Sequence, residues 1–242
     1  SGVGTYPITL SGGSASNYVL SLVNGQLTVN AAVLTATADA KSKSYGAANP
    51  ALTISYAGFV NGDDASDITA PGIATTADAT SGVGTYPITL SGGSASNYTL
   101  SRVNGQLTVN AAVLTATADA KSKTYGAANP ALTISYAGFV NGDDVSDITA
   151  PGIATTADAT SGVGTYPITL SGGSASNYAL SLVNGQLTVN AAVLTLTAED
   201  KQIMKGEPLP NYTLVYAGFV NEADQSVFTS VPTVSHTATA ES

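Results

Sequence analysis

This sequence predicts a mostly β protein built as a tandem array of small modules, and three observations carry that prediction. The ten residues SGVGTYPITL at Ser1 return at Ser81 and at Ser161, which sets a period of 80 residues. Residues 1–80 and 81–160 differ only at Val19/Thr99, Leu22/Arg102, Ser44/Thr124 and Ala65/Val145. Within each period, short alternating apolar runs are punctuated by Gly, Asn, Asp and Pro, the pattern of half-buried strands joined by tight turns. Hydrophobic residues make up 43% of the chain and charged ones 10%, so there is ample material for a core.

The elements follow in chain order. GTYPITL at Gly4–Leu10 presents Tyr6, Ile8 and Leu10 on one face. Pro7 within it predicts an edge position or a bulge, because proline donates no ladder hydrogen bond. NYVLSLVNGQLTVN at Asn17–Asn30 predicts a hairpin closed by a type I′ turn at Asn24-Gly25, where both positions need positive φ. That register sets Leu22 opposite Leu27 and Leu20 opposite Val29, with Tyr18 on the same inward face and Val19, Ser21, Val23, Gln26 and Thr28 outward. Arg102 replaces Leu22 beside that turn, where its head reaches water. AAVLTATADA puts Leu34, Ala36 and Ala38 on one face of a strand and Val33, Thr35 and Thr37 on the other. NPALTISYAGF gives a turn at Asn49-Pro50 and a strand with Leu52, Ile54 and Tyr56 inward. NGDDASDI predicts one short helical turn with Asp64 as N-cap and Asp67 at the capping-box position. PGIATTADA supplies another strand, so each period holds about six strands and at most one helical turn.

The repeat decays from Leu196, inside a strand, rather than near Ser161. Residues 31–110 and 111–190 are therefore expected to be complete modules joined by two alanines. On that division residues 1–30 are the C-terminal part of a preceding module and 191–242 the N-terminal part of a divergent following one. The chain is then expected to begin and end in mid-module. Its two ends are complementary halves, which predicts head-to-tail contact between chains through unpaired strand edges.

The formal net charge is -9, and the seven Lys and Arg residues do not cluster. That excludes nucleic-acid binding, which wants grouped cations to displace counterions. No apolar run approaches the ~20 residues of a membrane span, so no membrane insertion of this segment is expected. With no cysteine, disulfides and thiolate metal sites are out of reach. Catalysis is not expected either. The only histidine, His236, stands where earlier copies have Thr75 and Thr155, and no base serves the many Ser and Asp residues.

Two groups remain as candidate sites. Asn61, Asp63, Asp64 and Asp67, with Asn141, Asp143, Asp144 and Asp147, offer closely spaced oxygens of the kind Ca²⁺ takes. The competing reading is a helix cap, which needs one side-chain oxygen. The third copy favours the cap: it keeps Asp224 but has Ala223 and Val227 at the flanking acid positions. No cofactor or metal is therefore expected. Tyr45 and Tyr125, in Gly-rich turns, are the candidates for ligand contact by ring stacking, against a packing role for most tyrosines.

Tyr45-Gly46, Tyr125-Gly126, the AGFVNGDD block, GTYPI and NGQLTV together resemble the MBG-type repeats, in their YGX and YDG variants, of large bacterial surface adhesins. The last copy departs from that pattern, with Lys205-Gly206 for Tyr-Gly and NEADQSV for NGDDASD. The resemblance implies β-grasp-like modules, an extracellular location at the bacterial cell surface, and host or matrix glycans as partners. Near-identical copies with short linkers imply a structural stalk or fibre that spaces a binding region from the cell, an elongated rod in which three compact units span about 100 Å. A glycan- or mucin-binding module and a self-associating biofilm matrix protein are the alternatives.

Overall fold

A computed structural model describes residues 1–230 and 232–237. The expected terminal stretch of the 191–242 segment, including Val231 and residues 238–242, lies outside the described residues.

The chain is built of short strands: β1 (Gly4–Ile8), β2 (Gly25–Val29), β3 (Ala32–Ala38), β4 (Lys41–Ser44), β5 (Ile54–Ala57), β6 (Gly72–Thr75), β7 (Gly84–Ser91), β8 (Tyr98–Val103) and β9 (Gly105–Asn110). The next period repeats the set from β3 as β10 (Ala112–Ala118), β11 (Lys121–Thr124), β12 (Ile134–Ala137), β13 (Gly152–Thr155), β14 (Gly164–Ser171), β15 (Tyr178–Val183) and β16 (Gly185–Asn190). Two more follow, β17 (Thr195–Ala198) and β18 (Leu214–Ala217). The described helical structure consists of three-residue 3₁₀ turns at Ala65–Asp67, Val145–Asp147 and Gln225–Val227.

Each seven-strand set forms two sheets. One has the order β5-β3-β8 and the other β4-β9-β7-β6; β12-β10-β15 and β11-β16-β14-β13 repeat them. The early strands β3 and β4 pair in parallel with the late strands β8 and β9, with Leu34 beside Leu100 and Lys43 beside Val109. Alternation decides which side chains enter the core between the sheets. Ala38, Ile88 and Leu107 are buried together with Ala77, and Leu52, Ile73, Tyr86 and Leu90 pack against them. Burying one such aliphatic side chain stabilises by roughly 1.5–3 kcal/mol. The inward face predicted for AAVLTATADA holds, since Leu34, Ala36 and Ala38 are buried while Val33 is 64% exposed.

The hairpin expected over Asn17–Asn30 does not form. β8 and β9, its counterparts one period later, lie in different sheets, and β2 pairs with β1 instead. Neither Asn24-Gly25 nor Asn104-Gly105 has positive φ. Asn104 instead uses its side-chain oxygen to accept the Leu90 N–H at 3.1 Å. Gly105 is required for close approach, because a Cβ there would lie 2.3 Å from the Ala38 carbonyl oxygen. The type I′ turn belongs to the other Val-Asn-Gly in the period. Asn61 (φ 59) and Gly62 (φ 87) close it, and the Asp63 N–H donates to the Val60 carbonyl at 3.1 Å. Residues 17–23 are not strand, and Tyr18, expected inward, is 79% exposed, whereas their counterpart β8 pairs in parallel with β3.

Pro7 lies in β1, which has β2 as its single described partner, so the expected edge position holds there. Its counterpart Pro87, however, lies in β7, an inner strand, opposite Gln106 of β9. It is tolerated because β6 pairs with β7 only as far as Thr75 opposite Ile88. One period later the Pro167 carbonyl on that vacated side accepts the Thr155 hydroxyl at 2.8 Å. The missing N–H thus points where the ladder has already ended.

One strand escaped the sequence reading altogether. β4, Lys-Ser-Lys-Ser, buries Lys43 to 7% exposure. Its ammonium donates to the Ala47 carbonyl at 3.0 Å and to the Asp78 carbonyl, tying two loops together. Lys123 repeats the arrangement with Ala127 and Asp158.

By contacts the chain divides into two compact units. One comprises Ser1–Val113 with Val140–Asp143 and Ala175–Ala179; the other comprises Leu114–Phe139, Asp144–Ser174 and Leu180–Ser242. The second period therefore lends two short segments to the first unit. A single residue, Ala111, separates β9 from β10.

Lys43→Met, which keeps the apolar stem and leaves two loop carbonyls without their donor, is expected to cost about 1–3 kcal/mol in chemical denaturation. An unchanged midpoint would show that water replaces the ammonium.

Candidate functional site

The predicted acidic cluster divides into two groups with different tasks. Asp64 caps the 3₁₀ turn: its Oδ1 accepts the Ser66 N–H at 2.7 Å and the Ser66 hydroxyl at 2.6 Å. Asp67 completes a capping box by accepting the Asp64 N–H at 2.8 Å. Asp144 and Asp147 reproduce the box, and Asp224 keeps the cap in the divergent copy. The Ser66 hydroxyl and N–H hold the Asp64 carboxyl below the usual range, and Ser146 does the same for Asp144. The same inward use of carboxylates recurs at Asp39, lowered by the Ser55 and Thr53 hydroxyls, and at Asp78, lowered by Thr80. Among the described residues no three His, Cys, Asp or Glu side chains are grouped to hold a metal ion.

Asp63 and Asp143 face the other way, toward tyrosines. The Val60 N–H donates to the Tyr98 hydroxyl oxygen at 3.1 Å, and that hydroxyl donates to Asp63 Oδ2 at 2.6 Å. Tyr98 is 8% exposed and its ring stands edge-on to Phe59 at 5.8 Å. The I′ turn at Val60–Asp63 thus presents a carboxylate and an N–H to one phenol. One period later the same set is formed by Val140, Asp143 and Tyr178, at 3.1 and 2.7 Å.

Tyr45 joins that second set. The sequence places it in an exposed turn; the structure buries it to 7% exposure, which corrects the expectation. Its hydroxyl donates to Asp143 Oδ2 at 3.0 Å and its ring meets Tyr178 edge-on at 5.5 Å. Asp143 therefore accepts two phenols, one from each period. Gly46 (φ 80) follows so tightly that a Cβ would lie 2.5 Å from Val140. Asn141 donates from its side chain to the Ala79 carbonyl at 3.2 Å, and Asn177 accepts the Val83 N–H at 3.0 Å. Tyr125 is half-buried against an apolar recess that includes Val220 and Ala223, where alanine stands in the place of Asp143. His236 is exposed and lies beside Tyr212, with ring centroids 4.7 Å apart.

Sequence reasoning singled out Tyr45, Asn141 and Asp143, and the structure brings them together. It missed Tyr178 and Val140; the signal was present in the second Val-Asn-Gly of the period. Burial pushes the Tyr178 phenol up to about 12, with the Asp143 hydrogen bond and charge adding to the rise. Tyr98 is also raised, chiefly by its hydrogen bond to Asp63.

The geometry defines a tandem repeat protein, mostly β, in which a tyrosine–carboxylate contact at Asp143 ties one period to the next. The MBG domain (YGX type) family model matches residues 1–28, 34–108 and 114–188, and the chain belongs to that family. No curated protein matches it.

A phenol whose folded-state value is raised stabilises the fold fully below its ordinary value of 10, and that stability is lost as pH rises toward 12. Tyrosine absorbance is therefore expected to show a late-titrating fraction, with melting temperature falling between pH 10 and 12. At the acid end the lowered carboxylates of Asp39, Asp64 and Asp78 predict the reverse. Their contribution is constant above about pH 5 and declines as pH falls below about 4, where these groups take up protons. Asp64→Ala, measured at pH 7, is expected to lower the melting temperature by a few degrees, and a value equal to the parent would deny the cap a role.

Proposed function

We propose that this chain is a stretch of structural stalk from an extracellular bacterial adhesin, with β-grasp-like modules at about 31–110 and 111–190 arranged as an elongated rod. MBG repeats are a non-enzymatic repeat domain typical of extracellular surface proteins. Among the described residues no helix is long and apolar enough to cross a membrane. The parallel pairing of first and late strands supports the β-grasp-like description.

The observation that carries the stalk reading is the shared carboxylate, Asp143, which binds Tyr45 of one period and Tyr178 of the next. Burying that contact, with a one-residue connection at Ala111, opposes hinging, and a spacer that transmits load needs that property. Neighbouring modules of the same protein are then the principal partners. The absence of an accessible ring at Tyr45 disfavours glycan stacking there.

Small-angle scattering of the whole chain is expected to fit a stiff particle about 100 Å long. Inserting Gly-Ser-Gly-Ser after Ala111 should broaden the distribution. A parent chain as flexible as the insertion variant would defeat the reading, as would tight glycan binding on an array. Chelator is expected to leave the melting temperature unchanged. A large fall would return Ca²⁺ to the Asn61, Asp63, Asp64 and Asp67 cluster.

A further inference from the structure

β8 and β15 each stand at the rim of a sheet, in the orders β5-β3-β8 and β12-β10-β15. Main-chain groups point alternately to the two sides of a strand. The Asn97 carbonyl accepts the Ala32 N–H at 3.1 Å, and the Asn177 carbonyl accepts the Ala112 N–H at 3.0 Å. By that alternation Ser101 and Ser181 also turn toward the inner strand. Leu100 and Arg102 in β8, and Leu180 and Leu182 in β15, turn their N–H and C=O groups outward. Among the described residues no strand meets them. β8 keeps this open edge although a complete set of strands follows it, so the edge is a property of the repeated module.

One side chain distinguishes the two edges. Of the four positions at which residues 1–80 and 81–160 differ, Leu22/Arg102 is the one that changes charge, and leucine returns at Leu182. In β8 the Arg102 Nε donates to the Gly92 carbonyl at 2.7 Å, which fixes a cation at the rim. A charge on an edge strand guards it against pairing with another chain. β15, Tyr-Ala-Leu-Ser-Leu-Val, carries neither charge nor proline. Leu180 is half-buried and Leu182 is 37% exposed. Both hold inward positions, since their counterparts Leu100 and Arg102 lie beside the buried Leu34 and Ala36 of β3.

We propose that the β15 edge is an interaction surface for the same edge of a second copy of this chain. The two strands run antiparallel about Ser181. Each Leu180 then lies opposite Leu182 of the second copy and exchanges both main-chain hydrogen bonds with it. Inward faces stay inward in this register, and the leucine pairs cover one another. Chains of net charge -9 repel, but β15 itself brings no charge to the contact. At β8 the same register would bring two Arg102 guanidinium groups onto one face, where like charges oppose pairing. Short strands cover less than the roughly 800 Å² per partner of a standard interface, so the pairing is reversible. It goes beyond the stalk reading, and its failure leaves the scattering result untouched.

Disulfide trapping tests it, because the chain has no cysteine of its own. In this register the two copies of Ser181 face each other as a non-hydrogen-bonded pair, with Cα atoms about 4.5 Å apart, within disulfide reach. The whole chain carrying Ser181→Cys, and separately Ser101→Cys, is equilibrated in glutathione buffer at equal concentration. Non-reducing electrophoresis is expected to show at least tenfold more linked dimer for Ser181→Cys. A guanidinium beside position 101 favours the thiolate there, so thiol reactivity works against the expected difference. Adding Leu182→Arg, which copies the residue β8 already carries, should bring Ser181→Cys down to the Ser101→Cys level. Adding Arg102→Leu should raise Ser101→Cys to the level of Ser181→Cys. Equal trapping at the two serines, or a level that either substitution leaves unmoved, would overturn the proposal.

Discussion

Asp143 accepts hydroxyl hydrogens from two tyrosines that belong to successive periods, and that shared carboxylate links the two. Tyr178 comes from the start of β15 and Tyr45 from the turn after β4. Asp143 itself is held by the I′ turn whose N–H returns to Val140 at 3.0 Å. Burial makes the arrangement selective, since a phenol withdrawn from water needs an acceptor and a carboxylate needs donors. In the divergent copy the acid is Ala223, and Tyr125 borders an apolar recess of about 510 Å³ instead. The turn survives there, with Asn221 and Glu222 at positive φ, so turn and contact are separable features.

The second constraint is topological. β3 and β4, which open each set, find their parallel partners only in β8 and β9, which close it. Such pairing brings together residues more than sixty apart and requires the chain to cross from one sheet to the other at Asn104-Gly105. Gly105 permits that crossing because nothing larger fits against the Ala38 carbonyl. Lys43 ties together two other loops of the same set, through carbonyls at Ala47 and Asp78. Local turns and long-range ladders thus depend on one another, and non-local contact of this kind slows folding.

Polar side chains carry much of the local order. Asp39 clasps β3 to β5 through Thr53 and Ser55, Asp64 caps a 3₁₀ turn, and Asp78 holds a loop through Thr80 and Ser81. Each acid is spent on a hydroxyl or an N–H nearby.

The sequence by itself determined the period, the β class, the inward faces of most strands and the cap at Asp64. All of these depend on residues close in the chain, where alternation and side-chain reach settle the outcome. Only the tertiary structure decided which Val-Asn-Gly became the turn. Both tripeptides have the same local preference; Asn104 is claimed by the Leu90 N–H and Gly105 by Ala38, while Asn61-Gly62 is free to adopt positive φ. Pro87 was accommodated in an inner strand because β6 stops at Thr75, a length that no property of the proline encodes. Burial of Tyr45 depends on Asp143, 98 residues away, and short-range pattern cannot register a partner at that separation.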